Sequence, residues 1–275
     1  YNNQFAQTIG LYPGAVWRNK THFRKFLSQF SNLTTLRVSQ KNTIQNSFNA
    51  FNPFNFNTED SLLINQNLNF KNTFSFNQHD SYFGIDFIIQ RNQMKNLLYY
   101  GFERNQLNTE EILITGNPHR TINISSQYTH SIKSNLSEFF ESRNYKIESH
   151  QINNSLLIQL RSKLFFTLIY QYQQKKNITS TDKVKRHQVE FNTTYRMPER
   201  GNIMAQIRYI QIIYNEYKNN SLAYEMLEGL QNGKNLHWRL AYQSYIGKFL
   251  EIDFQYEGRA SEGNRTIHSG SIQMR

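Results

Sequence analysis

Between Leu236 and Tyr256 the chain alternates on both sides of one tight connection. Trp238, Leu240 and Tyr242 take one parity against His237, Arg239, Ala241 and Gln243. Past Ile246-Gly247-Lys248, the residues Leu250, Ile252, Phe254 and Tyr256 alternate with Glu251, Asp253, Gln255 and Glu257. A side-chain period of two belongs to a β-strand, so this stretch reads as a β-hairpin with one apolar, aromatic face and one polar, charged face. The same alternation recurs along most of the chain. A chain built this way must pair its strands and give two unlike faces two unlike surroundings.

Composition says which surroundings those are. Only 38% of residues are hydrophobic, yet 15% are aromatic, with 17 Tyr and 21 Phe. Opposite them stand Asn, Gln, Ser and Thr. This fits a barrel that shows an apolar face to lipid and a polar face to water. The mean hydropathy of −0.70 agrees, because every second residue of such a strand points into a wet interior. No run of 18 or more apolar residues occurs, which excludes a transmembrane helix. The absence of cysteine removes disulfides and thiolate metal sites and leaves the redox compartment open. The net charge of +11 is carried by scattered single Lys and Arg residues, with no basic cluster or RNA-binding aromatic motif. No nucleic acid partner is expected. The charge reads as solvated loops and a mixed-charge interior, with contact to anionic lipid head groups as the sharper alternative.

Taken in order, residues 1–21 lack clear alternation and are expected to form an N-terminal arm or inward plug, leaving 22–275 as the barrel. Strands are expected at 22–38, 62–76, 83–101, 112–114, 120–136, 145–161, 164–173, 186–197, 203–217, in the final hairpin, and at 266–275. Residues 41–60, 103–108, 174–185, 218–235 and 257–265 read as loops, and Gly116 to His119 as a turn. The cleanest segment is 62–76, where Leu62, Leu68, Phe70 and Phe74 share a parity expected to face lipid. In the last hairpin Trp238, Leu240, Tyr242, Ile252, Phe254 and Tyr256 are expected to do the same, with Trp238 opposite Tyr256. A parity switch near Gln151 predicts a bulge. Pro198-Glu199-Arg200-Gly201 has the chemistry of a tight turn. Long and short connections alternate, as in an outer-membrane up-and-down barrel of about twelve antiparallel strands.

Three stretches carry a family resemblance. They are the ending Arg265-Thr266-Ile267-His268-Ser269-Gly270-Ser271-Ile272-Gln273-Met274-Arg275, the segment Ser221 to Leu230, and the Leu236–Tyr256 hairpin. Together they resemble the C-terminal barrels of large, mostly uncharacterised outer-membrane proteins of Bacteroidota. The resemblance covers roughly residues 221–275 and speaks for location more than activity. It implies the outer membrane of a Gram-negative bacterium, periplasmic domains before Tyr1, and a few residues beyond Arg275, since such proteins usually end in an aromatic residue.

A search for chemistry yields little. None of the eight histidines forms HExxH or another close metal-ligand pair, so neither a metal nor any other cofactor is expected. There is no GxSxG and no phosphate-cradling glycine loop. An outer-membrane lipid hydrolase needs a Ser–His pair, but His268 and Ser269 are strand neighbours and face opposite sides. No enzyme activity is expected. The charged residues opposite the apolar parity are Arg186, Glu190, Arg196, Arg208, Arg239, Glu251 and Asp253. They are expected to pair inside the barrel, with a selectivity strip as the alternative. The expected function is a structural anchor or a subunit of an envelope complex. A narrow channel for small solutes is the alternative, and a lipid hydrolase ranks below both. Expected partners are outer-membrane lipids and lipopolysaccharide and, for the complex, other envelope proteins.

Overall fold

The computed structural model describes residues 2–12, 26, 29–42, 63–77, 82–99, 101–198, 200–215, 221–246 and 250–274. Among the described residues, thirteen strands form one antiparallel sheet in which every strand lies beside its neighbour in sequence. They are β1 (Asn2–Leu11), β2 (Phe30–Asn42), β3 (Leu63–Phe76), β4 (Phe83–Leu98), β5 (Gly101–His119), β6 (Ile122–Ser137), β7 (Tyr145–Leu160), β8 (Leu164–Asn177), β9 (Lys183–Met197), β10 (Gly201–Tyr214), β11 (Gly233–Ile246), β12 (Leu250–Ser261) and β13 (Ile267–Met274). One short helix, α1 (Ser221–Leu227), lies between β10 and β11. The expected all-β, up-and-down class is what the chain adopts.

The chain forms two compact units. The first comprises Tyr1–Leu113, Thr129–His150 and Lys176–Thr181. Here β1 pairs along its full length with β2, from Asn2 opposite Lys41 to Leu11 opposite Asn32. Asn2–Leu11 is thus a strand of the sheet where an arm or plug was expected over 1–21, and residues 13–21 of that expectation lie outside the described residues. The strand's alternation of Phe5, Ile9 and Leu11 with Gln4, Thr8 and Gly10 is short and diluted by Gln7. The strand expected at 22–38 begins at Phe30 and runs on to Asn42. Residue pairing gathers the apolar parity of β2 to β4 onto one face, with Val38 opposite Leu68, Leu36 opposite Phe70, Phe74 opposite Phe87 and Phe76 opposite Ile85. Phe30, Phe74 and Phe76 pack ring to ring at centroid distances of 4.9 and 5.6 Å from Phe30. The loop expected at 103–108 and the turn at 116–119 are both inside β5, which is unbroken. Glu103 to Asn108 is polar apart from Leu107, and one apolar residue makes no period-two signal.

The second unit comprises Ile114–Tyr128, Gln151–Lys175 and Asp182–Arg275. Its register places side chains in rows across β9 to β13. One face carries the rows Phe191, Ile207, Trp238, Gly258, His268 and Tyr195, Ile203, Tyr242, Phe254, Ile272. The other carries Glu190, Arg208, His237, Arg259 and Arg196, Asn202, Gln243, Asp253, Gln273. In β7 the exposed positions stay even from Lys146 to Leu160. The apolar parity switch near Gln151 is therefore no change of face. Ile147 is buried on the odd face near one end of the strand, and Ile152 is exposed on the even face. Arg200 N–H donates to Met197 O at 3.0 Å, and Gly201 follows with φ of 126°, a value the expected turn needs glycine to supply.

The last hairpin keeps its expected faces but pairs two residues out of the expected register. Trp238 stands opposite Gly258, Leu240 opposite Tyr256 and Tyr242 opposite Phe254. Ile246 pairs with Leu250, so the loop is 247–249, which lies outside the described residues. The Trp238 indole lies where a Cβ on Gly258 would be, and packs edge-on to His268 at 5.7 Å. A bare glycine covered by a cross-strand aromatic lets the ring lie flat along the sheet. Gly258→Val is expected to destabilise the protein by about 1–3 kcal/mol through overpacking, read by urea unfolding in detergent micelles. Adding Trp238→Leu should recover part of that loss, and full additivity of the two changes would remove the packing explanation.

Candidate functional site

The densest polar structure among the described residues lies on the polar face of β8 to β10, and Glu190 is its centre. Glu190 is only 6% exposed. One carboxylate oxygen, Oε1, accepts from Gln206 at 2.7 Å and Asn192 at 2.8 Å. The other, Oε2, accepts from Arg208 Nε at 2.6 Å and Gln188 at 3.3 Å. A carboxylate offers about four lone-pair sites, and all are used here. Arg208 is placed for this by the ladder itself, since it stands directly opposite Glu190. A buried charge with one partner would be costly, whereas one saturated by a cation and three amides is tolerated.

A second ion group adjoins the first. Arg186 donates to Gln188 and, at 2.5 Å, to Glu228. Lys175 of β8 reaches the other oxygen of Glu228 at 2.6 Å, and its Nζ also donates to the backbone oxygen of Glu225 in α1 at 3.4 Å. Glu228 follows α1 directly and sits at φ of 55°, with Gly229 at 73°. Two successive residues in the left-handed region stop the helix, and Gly229 N–H returns to Tyr224 O at 3.2 Å. Ala223, Met226 and Leu227 of α1 are buried, as are Val184, Ile210, Ile212 and Tyr214 on the polar-face parity of β9 and β10. The helix thus lies over the polar face and is tied to it by Glu228.

The seven charged residues expected to pair inside the barrel lie on one face of the sheet, and four of them make ion pairs among the contacts described: Arg186, Glu190, Arg208 and Arg239. Arg186, Glu190 and Arg208 join the network above. Arg196 lies over the Phe165 ring at 4.4 Å. Arg239 pairs with Glu257 at 3.1 Å and donates to Gln255 at 3.0 Å, while both ion-pair partners remain about half exposed. Glu251 accepts from Gln243, and Asp253 stands opposite Gln243 and Gln273. Beside them β10 to β12 leave a cleft of about 610 Å³ lined in part by Arg208, His237, Arg239, Glu257 and Arg259. Lys175 and Glu228 were missed by sequence reading, since each lies in a stretch that read as loop. The only available signal was Glu228-Gly229 as a helix stop.

The apolar parity is the exposed one. Ile207 is 55% exposed, and Val189, Phe191, Leu240, Tyr242 and Phe254 are exposed as well. Trp238, Ile252 and Tyr256 on the same face are partly covered. In the first unit Phe74 is exposed, Leu68 and Phe70 are half-buried, and Leu62 lies outside the described residues.

In the second unit the sheet is built of long amphipathic strands, with Glu190 buried on one face and Ile207, Phe191, Leu240 and Phe254 exposed on the other. No known protein family matches the chain, and no curated protein sequence does. Two solved structures are similar in arrangement. The siderophore receptor PirA from Pseudomonas aeruginosa aligns with a TM-score of 0.45 at 10% identity, over 85% of this chain and 52% of its own. CdiB from Acinetobacter baumannii aligns with a TM-score of 0.49 at 7% identity, over 100% of this chain and 53% of its own. The chain spans about half the length of each, and at these scores neither carries a function to it.

Burial alone would raise the Glu228 carboxyl, but Lys175 and Arg186 outweigh it and hold the group below the usual glutamate range. A carboxyl lowered on folding stabilises above its unfolded value, and that contribution disappears as pH falls through the lower folded value. Hydrogen-exchange protection of residues 221–232, corrected for intrinsic rates, should therefore be full at neutral pH, start to fall as pH drops through the ordinary carboxylate range, and be lost below it. Glu228→Gln should lower that protection at neutral pH and cost about 1–3 kcal/mol, less than a fully buried pair because Glu228 is partly exposed.

Proposed function

We propose that this chain is the wall of an outer-membrane β-barrel that acts as a membrane anchor or as a subunit of an envelope complex. One observation carries the reading: burial is inverted, with Ile207 at 55% exposed and Glu190 at 6% on adjacent strands of the same sheet. In water that arrangement would leave a broad aromatic face unprotected. In a bilayer it is the expected one, with the apolar parity against lipid and the polar parity lining an interior. The apolar rows run from Val189 to Met197 on β9, about the 9–11 residues a tilted strand needs to cross. Lipid also demands that every strand edge be satisfied, which closure into a barrel achieves. Lipids and lipopolysaccharide are then the surroundings of the outer face.

The saturated Glu190 group favours an anchor over a pore, because its side chains bond to one another and leave no row of free ligands for a passing solute. The cationic cleft of Arg208, Arg239 and Arg259 favours a second reading, a narrow channel for small anionic solutes.

Trp238 provides the test. In a Trp17→Phe background it is the sole tryptophan. Refolded into vesicles whose acyl chains carry bromine, the protein should show strong quenching of its emission. Unquenched emission would overturn the membrane reading of this face. Planar-bilayer recordings then separate the two functions: silent membranes support the anchor, and anion-selective steps support the channel.

A further inference from the structure

We propose that His130, Glu148 and His150 form a binding site for a divalent transition-metal ion of the zinc class, with Glu110 positioning His130. Glu148 and His150 are two apart on β7, so both point to one face. β6, which carries His130, and β5, which carries Glu110, follow in the sheet order. The four therefore meet side by side on three neighbouring strands of the first unit, on the parity that also bears Ile112, Ile132 and Leu136. The site is independent of the membrane reading, since the donors lie together whatever that face meets.

The distances are those of a ligand set. His130 Nε2 is 3.3 Å from Glu148 Oε1, and His150 Nε2 is 3.6 Å from the same oxygen. All three donor atoms lie within 4.8 Å of one another. Zinc bonds of about 2.0–2.2 Å in tetrahedral geometry put neighbouring donors roughly 3.3–3.5 Å apart, so small rotations suffice to close the set on an ion. The imidazole rings are stacked, with centroids 4.8 Å apart and planes 19° from parallel. Two positive rings would repel in that arrangement, whereas one cation between their nitrogens serves both lone pairs and Glu148. On its other side His130 presents Nδ1 to Glu110 at 3.6 Å. A carboxylate on that side favours the tautomer with its proton on Nδ1, which turns the Nε2 lone pair toward Glu148 and a shared ion. Two imidazoles and one carboxylate select zinc-like ions over calcium or magnesium, which prefer all-oxygen sets. Three protein donors leave a fourth position open to water or an anion.

The full chain, refolded in detergent micelles, should be titrated with Co²⁺, whose visible bands report a tetrahedral site, and with Zn²⁺ in competition. One saturable ion per chain is expected. His130→Ala, His150→Ala and Glu148→Gln should each weaken binding at least tenfold while far-UV circular dichroism keeps its β signal. Glu110→Gln should weaken it about 10–100-fold and leave the tetrahedral bands in place. His119→Ala serves as the unaffected control. Should the variants fail to fold, the wild-type protein decides: bound Zn²⁺ should protect His130 and His150 from diethylpyrocarbonate, mapped by mass spectrometry. Absence of saturable binding, binding that survives His130→Ala/His150→Ala, or no protection of these two rings would each overturn the proposal.

Discussion

A paired β-strand sends its backbone hydrogen bonds sideways and its side chains in only two directions. Everything distinctive about this protein depends on that constraint. Because each strand pairs with its sequence neighbour, a choice of parity made on one is handed to the next through the ladder. Arg208 meets Glu190 because Ile207 meets Phe191, and the same register continues to Trp238 and Gly258. The ion network and the aromatic face are two readouts of one set of hydrogen bonds.

This explains why the faces were legible in the sequence and the edges were not. The parity of Arg186, Glu190, Arg208 and Arg239 follows from period two alone, and it survives the two-residue register error in the last hairpin. An error of two moves every residue along the strand and none across the sheet. Strand ends carry no such protection. The Glu103–Asn108 stretch of β5 has Leu107 as its single apolar residue, so its membership of a strand comes from pairing and not from hydropathy. Asn2–Leu11 is held by β2, and read alone it has too few apolar residues to declare itself.

The polar clusters show the other limit. Glu190 and Arg208 are 18 residues apart in sequence and bonded in space, and His130 and Glu148 have the same separation. Motif reading searches for spacings within a helix turn or a single loop. A constellation spread over adjacent long strands has spacings set by hairpin length, which varies from one hairpin to the next. His130, Glu148 and His150 were therefore invisible to a search for close ligand pairs, although Glu148-Ser149-His150 contains two of the three.

The tie between α1 and the strands has a bearing on the order in which the chain can assemble. Glu228 lies 53 residues from Lys175 and 42 from Arg186, and neither cation can be in place until β8 and β9 are paired. The loop that closes this contact pays its entropy only after the local hairpins have formed. Docking of α1 is then a report that β8 and β9 have reached their register. A chain with β9 slipped by one residue would turn Arg186 to the apolar side and leave Glu228 with Lys175 as the one cation of the two. The helix thus checks the register beneath it, since both Glu228 contacts form together only over a correctly paired β8 and β9.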